Sequence, residues 1–165
     1  MMRLFQVRAA GALSLLAAAL SCGEAVARSS GFATEHPLAA EHIEGLPPDI
    51  RGEALARARA CGNKAAAAHY FSVSIQSGGT RFVSLHFEDF VCMNRAAVCD
   101  DGLCLHRLYL DSRGRQRLVF STRARELTMF NVGNTVGFEV IGGPSAGHYR
   151  WQGGRFVRSA VPREK

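Results

Sequence analysis

The sequence predicts an α+β fold that is mainly antiparallel β: one N-terminal helix packed on a meander, or partly closed barrel, of about eight short strands. Three observations predict it. A single stretch, Ile50 to Cys61, carries apolar residues at helical spacing. From Tyr70 onward the apolar period changes to two. Glycine-containing turns then recur at hairpin distance, without the long helices that alternate with strands in a parallel α/β fold.

Residues 1–27 read as a secretory signal peptide. Arg3 and Arg8 supply a positive start, Ala9 to Leu20 an uncharged apolar run, and Ala25-Val26-Ala27 a small-residue cleavage site. The run is short of the ~20 apolar residues that span a bilayer, and no later stretch reaches that length, so no transmembrane segment is expected. The mature protein is expected to begin near Arg28 and to be periplasmic or secreted. Cys22, after Ala19-Leu20-Ser21, faintly resembles a lipoprotein acylation site, but Ala19 stands where an aliphatic residue is usual. Cys22 is therefore read as discarded with the leader.

Residues 28–46 have no period, contain Ser29-Ser30-Gly31, and are cut by Pro37, so they read as a flexible linker. His36 and His42 lie there among Glu35, Glu41 and Glu44; without a scaffold to hold ligands, solvated polar residues explain them better than a metal site. A single disulfide-stapled domain is expected over 47–158 and a polar tail over 159–165. The helix opens at Leu46-Pro47-Pro48-Asp49, where proline and an acid suit the first turn, and stops at Gly62-Asn63. Ile50, Ala54, Leu55, Ala58 and Cys61 are expected to face the core.

Phe71, Val73 and Ile75 then share one face of a first strand, and Ser77-Gly78-Gly79 turns it. In Arg81 to Val91, Val83, Leu85 and Phe87 form the apolar face, and Ser84, His86 and Glu88 the wet one. Strands follow over Leu105–Leu110 and Gln116–Ser121, with a bend over Ser121–Arg125. Two more are read over Glu126–Phe130 and Val136–Ile141, and a final hairpin folds about Gly153-Gly154.

The chain has 165 residues and a charge of +6, which drops by one when Arg3, Arg8 and Glu24 leave with the leader. The arginines are scattered, so the charge reads as a solvated surface rather than a polyanion site. Four cysteines remain after the leader: Cys61, Cys92, Cys99 and Cys104. An even number in an exported chain implies disulfides. Three pairings are possible. The Asp-Gly turn between Cys99 and Cys104 favours that local pair, with Cys61–Cys92 tying helix to sheet. The rival joins Cys92 to Cys104 and Cys61 to Cys99.

Cys92, Cys99, Cys104 and His106 also form a possible zinc set, but their spacing lacks the tight C-x2-C pairs of strong zinc motifs, and oxidation competes for the thiols. A Cys–His nucleophile needs a reduced thiol and meets the same objection. His86 and Glu88, with His106 in reach, can do acid–base work or hold a metal. Gly143-Pro144-Ser145-Ala146-Gly147 has the letters Gly-x-Ser-x-Gly, but with strands read on both sides it is no strand-to-helix nucleophile elbow, and no glycine-rich phosphate loop precedes a helix. Tyr149, Trp151 and Phe156, interleaved with Arg150 and Arg155, can form a stacking platform or simply close the core.

Leu46-Pro47-Pro48, Cys61-Gly62, Leu85 to Cys92, Cys99 to Tyr109, and Tyr149-Arg150-Trp151 with Gly153 and Phe156 together resemble small uncharacterised exported proteins of Gram-negative bacteria. That resemblance implies no functional residues. Ser77-Gly78-Gly79-Thr80-Arg81-Phe82 is similar in kind to the Ser-Gly-x-x-Tyr inhibitory loop of the membrane-bound and C-type lysozyme inhibitors. The aromatic is Phe82, one position later, and the second motif of that family, Thr-Lys-Gly, has no counterpart. The expectation is a non-enzymatic envelope domain binding a protein or glycan, with no catalytic, cofactor or metal residues and no nucleic-acid partner. Its specific version is a lysozyme-type inhibitor; the alternative is a small hydrolase using His86 and Glu88.

Overall fold

The computed structural model describes residues 38–62 and 64–160. The leader 1–27 with Cys22, the segment to Pro37 with His36, Asn63 and residues 161–165 lie outside the described residues.

The helical region holds two helices, α1 (Glu41–Glu44) and α2 (Pro48–Cys61). Proline takes the first position of α2 and Asp49 its first turn. Gly62 ends it at φ 76, donating its N–H to Ala58 and Arg59 carbonyls, a left-handed stop that only a glycine adopts cheaply. Ile50, Ala54, Ala58 and Cys61 form a buried stripe, but Leu55 is 39% exposed. One residue beyond Ala54 turns the helix by about 100°, which carries Leu55 off this narrow stripe.

The linker reading of 28–46 needs correction at its end. Glu41–Glu44 is helical, Ile43 and Leu46 are buried, and Ala39 and Ala67 exchange backbone hydrogen bonds of 3.0 and 3.1 Å. A single turn is too short to show a period, and tertiary contact stabilises it instead.

The β region forms two antiparallel sheets. The first contains β1 (Ser72–Ser77), β2 (Thr80–His86), β3 (Cys99–Asp100), β4 (Leu103–Ser112) and β5 (Arg115–Ala124). β4 is central: β2 pairs with one edge, β5 with the other, and the short β3 pairs with its start. The second sheet runs β6 (Glu126–Val132), β7 (Thr135–Ile141), β8 (Gly147–Gln152) and β9 (Arg155–Ser159) in chain order. The architecture is thus mainly antiparallel β with few helices. Only Arg125 separates β5 from β6, so the expected bend over Ser121–Arg125 is strand almost throughout, and the chain passes directly between sheets.

Two strand boundaries differ from the sequence pattern, for one reason. His69–Phe71 and Phe87–Asp89 are single 3-10 turns, so β1 begins at Ser72 and β2 ends at His86. Phe87 and Phe90 are both buried against Phe71, with ring centroids 5.2–5.3 Å apart. Two residues three apart cannot share a strand face, but they eclipse on a 3-10 turn.

The first sheet is covered on both faces at β2 and β4. Val83, Leu85, Leu105 and Tyr109 pack with Ile50, Ala54, Ala58 and Cys61 of α2. Phe82, Leu108 and Ala124 pack with Leu127, Val136, Phe138 and Val140 of the second sheet. Every residue of β2 from Phe82 to His86 is buried. The reading of Ser84 and His86 as a wet face is therefore corrected: a second sheet covers that side.

Polar links also join α2 to β4. The Tyr109 hydroxyl donates to Glu53 Oε2, and Arg107 pairs with Glu53 Oε1. Burial beside that carboxylate pushes the Tyr109 phenol far above its ordinary value. Cys61, at the end of α2, is bonded to Cys92, and Cys99 to Cys104, its register partner across β3 and β4. No helix among the described residues is long and apolar enough to cross a membrane.

Candidate functional site

Two polar groupings lie at opposite ends of β4. The first is buried. His86 on β2, His106 on β4 and Thr122 on β5 are successive register partners, so they form one row across the sheet. Ser84, two residues before His86, shares their face. Glu88 comes from the 3-10 turn that follows β2. That turn is stitched by Arg95, whose guanidinium donates to the carbonyls of Phe90 at 3.0 Å, Glu88 at 2.9 Å and Phe87 at 3.4 Å. Arg95 is a positioning residue that no sequence signal marks, because its partners are backbone atoms brought near by the fold.

The hydrogen bonds form one connected network. Ser84 Oγ lies 2.7 Å from His86 Nε2 and 3.3 Å from the Val73 carbonyl. His86 Nδ1 faces His106 Nδ1 at 3.2 Å, and His106 Nε2 lies 3.3 Å from the Ala124 carbonyl. A carbonyl only accepts, so His106 carries its proton on Nε2 and offers a lone pair at Nδ1. In the neutral state His86 donates from Nδ1 to that lone pair, and Ser84 donates to His86 Nε2. Glu88 Oε1 lies 3.7 Å from His86 Nδ1, and Oε2 3.7 Å from His106 Nε2. Glu88 Oε2 is buried without a hydrogen-bond partner.

The environment sets the charges. Burial acts to raise the Glu88 carboxyl, but the attraction of the neighbouring His86 and His106 imidazoles outweighs it and holds the group below its ordinary value. Burial pushes the His106 imidazole down, against the attraction of Glu88. Burial and the neighbouring Glu88 charge raise Asp89.

The chain Ser84, His86, Glu88 has the connectivity of a nucleophile, base and carboxylate. Its geometry does not suit that chemistry. Ser84 has no exposed surface, and the His86–Glu88 separation exceeds a hydrogen bond. What the cluster offers instead is three donor groups, of which one atom each lies within 4.8 Å of the others.

The second grouping is exposed. A cleft of about 300 Å³ lies between the β1–β2 turn, the β4–β5 hairpin and β8, lined by Thr80, Leu110, Asp111, Ser112, Arg113 and Trp151, with Gly79 at the turn. Trp151 packs edge-on against Phe82 and Phe156, which fixes its ring. Arg113 stands at the hairpin tip with φ 53, followed by Gly114 at φ 75. Such two-residue turns favour Asn, Asp or Gly at the first position, so an arginine is held there at a conformational cost. A neighbouring cleft between Asp49, Ser112, Arg115, Gln116 and Arg117 continues the polar surface.

The other sequence candidates resolve as follows. Of the cysteines of the possible zinc set, Cys99 is bonded to Cys104 and Cys92 to Cys61, so that set is not assembled with His106. Gly78-Gly79 is the turn of a hairpin, with Ser77 opposite Thr80. Phe82, the aromatic of that stretch, is buried between Trp151 and Phe156. Tyr149 stacks on Phe138 at 4.8 Å inside the core between the sheets. Of the final hairpin's aromatics, Trp151 lines the Arg113 cleft, whereas Tyr149 borders a separate one with Phe130, Val132 and Arg150. No family model matches the chain, and no curated protein or solved structure is similar to it.

Proposed function

We propose that this is an exported, non-enzymatic domain that binds a glycan of the cell envelope in the Trp151 cleft. The leader-like residues 1–27 and two disulfides fit an oxidising compartment. The observation that carries the reading is the cleft itself. A rigid aromatic ring beside Thr80, Asp111, Ser112 and Arg113 offers an apolar platform for a sugar face and a rim of donors and acceptors for its hydroxyls. Arg113, held in an unfavourable turn conformation, favours an anionic sugar or one carrying a carboxylate.

Trp151 is the only tryptophan of the chain, so its fluorescence reports on the cleft alone. Titration with N-acetylglucosamine oligomers and soluble peptidoglycan fragments is expected to give a saturable change, weakened in Arg113→Ala. Wild-type protein should also sediment with insoluble peptidoglycan, and Trp151→Phe should do so less. Unchanged fluorescence and no sedimentation would overturn the glycan reading. A specific crosslink from the Arg113 tip to one envelope protein would then move the function to a protein partner.

A further inference from the structure

We propose that His86, Glu88 and His106 form a binding site for a divalent transition metal, with zinc as the best-fitting ion. The site is independent of the glycan cleft at the far end of β4. Its donors are two imidazoles and a carboxylate, the set that suits zinc and its late first-row neighbours. Two nitrogens 3.2 Å apart, each about 2.05 Å from one zinc ion, subtend about 103° at the metal, near the tetrahedral angle. The 3.7 Å between His86 Nδ1 and Glu88 Oε1 exceeds the roughly 3.35 Å edge of that tetrahedron, so Glu88 moves inward when the ion binds, a shift its partly exposed side chain allows.

The surroundings are arranged for such an ion. His106 Nε2–H is bound to the Ala124 carbonyl, which turns the Nδ1 lone pair toward His86. Ser84 lets His86 do the same at no loss of hydrogen bonds. When a cation replaces the Nδ1 proton, His86 Nε2–H donates to Ser84 Oγ, and the Ser84 hydroxyl turns to the Val73 carbonyl at 3.3 Å. Metal-ligating histidines characteristically anchor their other nitrogen in this way. Glu88 Oε2, buried and without a hydrogen-bond partner, supplies the balancing charge. Arg95 fixes the backbone that carries Glu88. The Glu88 side chain is 31% exposed, so an ion and a solvent ligand reach the site from that side.

The test uses tag-free, oxidised protein. Competition against a chromophoric zinc chelator is expected to show one saturable zinc ion per chain. Cobalt should give the visible bands of a low-symmetry nitrogen–oxygen site, without thiolate charge transfer. Zinc should raise Tm. Glu88→Gln, at a half-exposed position, and His86→Gln should each weaken zinc by more than about tenfold and abolish the Tm rise, while His148→Gln should leave both unchanged. The proposal is overturned if folded wild-type protein binds none of zinc, cobalt, nickel or copper saturably. Equal zinc affinity in wild type, Glu88→Gln and His86→Gln would overturn it as well.

Discussion

The two ends of β4 carry similar side chains in opposite settings. At its start, His106 is completely buried and joined to His86, Ser84 and Glu88. At its end, Asp111, Ser112 and Arg113 line an open cleft. Both ends carry polar side chains, and both belong to one continuous strand. The difference is what lies against them. The Phe87–Asp89 turn, held by Arg95, brings Glu88 against the first end, whereas the second is a hairpin tip. Polarity along a strand therefore says little about a site until the covering element is known. Under cover, polar groups must satisfy one another and become an ordered cluster. In the open they remain free for a ligand.

The largest expected effect removes what holds the covered end in place. Cys61→Ala combined with Cys92→Ala opens a bridge of sequence separation 31 and should cost about 3–4 kcal/mol in urea unfolding by the loop-entropy account. A loss below 1 kcal/mol would show that the end of α2 and the Phe87–Asp89 region hold together without it.

Next, His106→Ala strips the buried end of its centre and takes the hydrogen-bond partner from the Ala124 carbonyl and from His86 Nδ1. It should cost about 2–3 kcal/mol, whereas Ser112→Ala at the open end should stay within about 0.5 kcal/mol. Similar costs at both ends would erase the contrast.

A smaller effect concerns acid. His106 has a folded pKa below its unfolded value of about 6.5, so the unfolded chain binds the proton first. Its contribution is complete above that value and declines as pH falls below it. Glu88, also depressed in the fold, contributes above its ordinary 4.5 and loses that contribution in stronger acid. Asp89 is raised and acts in the opposite sense near its ordinary 3.8. The groups acting on His106 are Glu88, His86 and Glu126. Stability should therefore fall between pH 7 and 5, and His106→Gln should flatten that slope. An unchanged slope would place the acid sensitivity elsewhere.

The smallest change sharpens the open end. Arg113→Gly relieves the positive φ and should stabilise by about 0.5–1 kcal/mol while weakening glycan binding. A variant more stable and equally good at binding would show that Arg113 has no part in the cleft.

Much of the architecture was legible. The change of period at Tyr70 and the recurring glycine turns mark antiparallel strands, and Pro48 and Gly62 mark the ends of α2. The Asp101-Gly102 turn brings Cys99 and Cys104 together because both residues sit at positive φ. What misled was local alternation read as exposure. Ser84 and His86 alternate with Val83 and Leu85 as on a half-wet strand, yet both faces of β2 are covered. Leu55 looked like core because only its neighbour Ala54 defines the stripe. Arg95 and α1 left no local signal, since each depends on contacts across the chain.

The sequence by itself determined the elements, because helix stops, hairpin turns and apolar periods are set by φ preference and side-chain spacing over a few residues. Only the tertiary structure decided that His86, Glu88 and His106 meet away from water while Arg113 and Trp151 stand at an open cleft. Those placements depend on the register of β2 against β4 and on a second sheet covering the first, and pairings between distant segments leave no periodic trace in either strand alone.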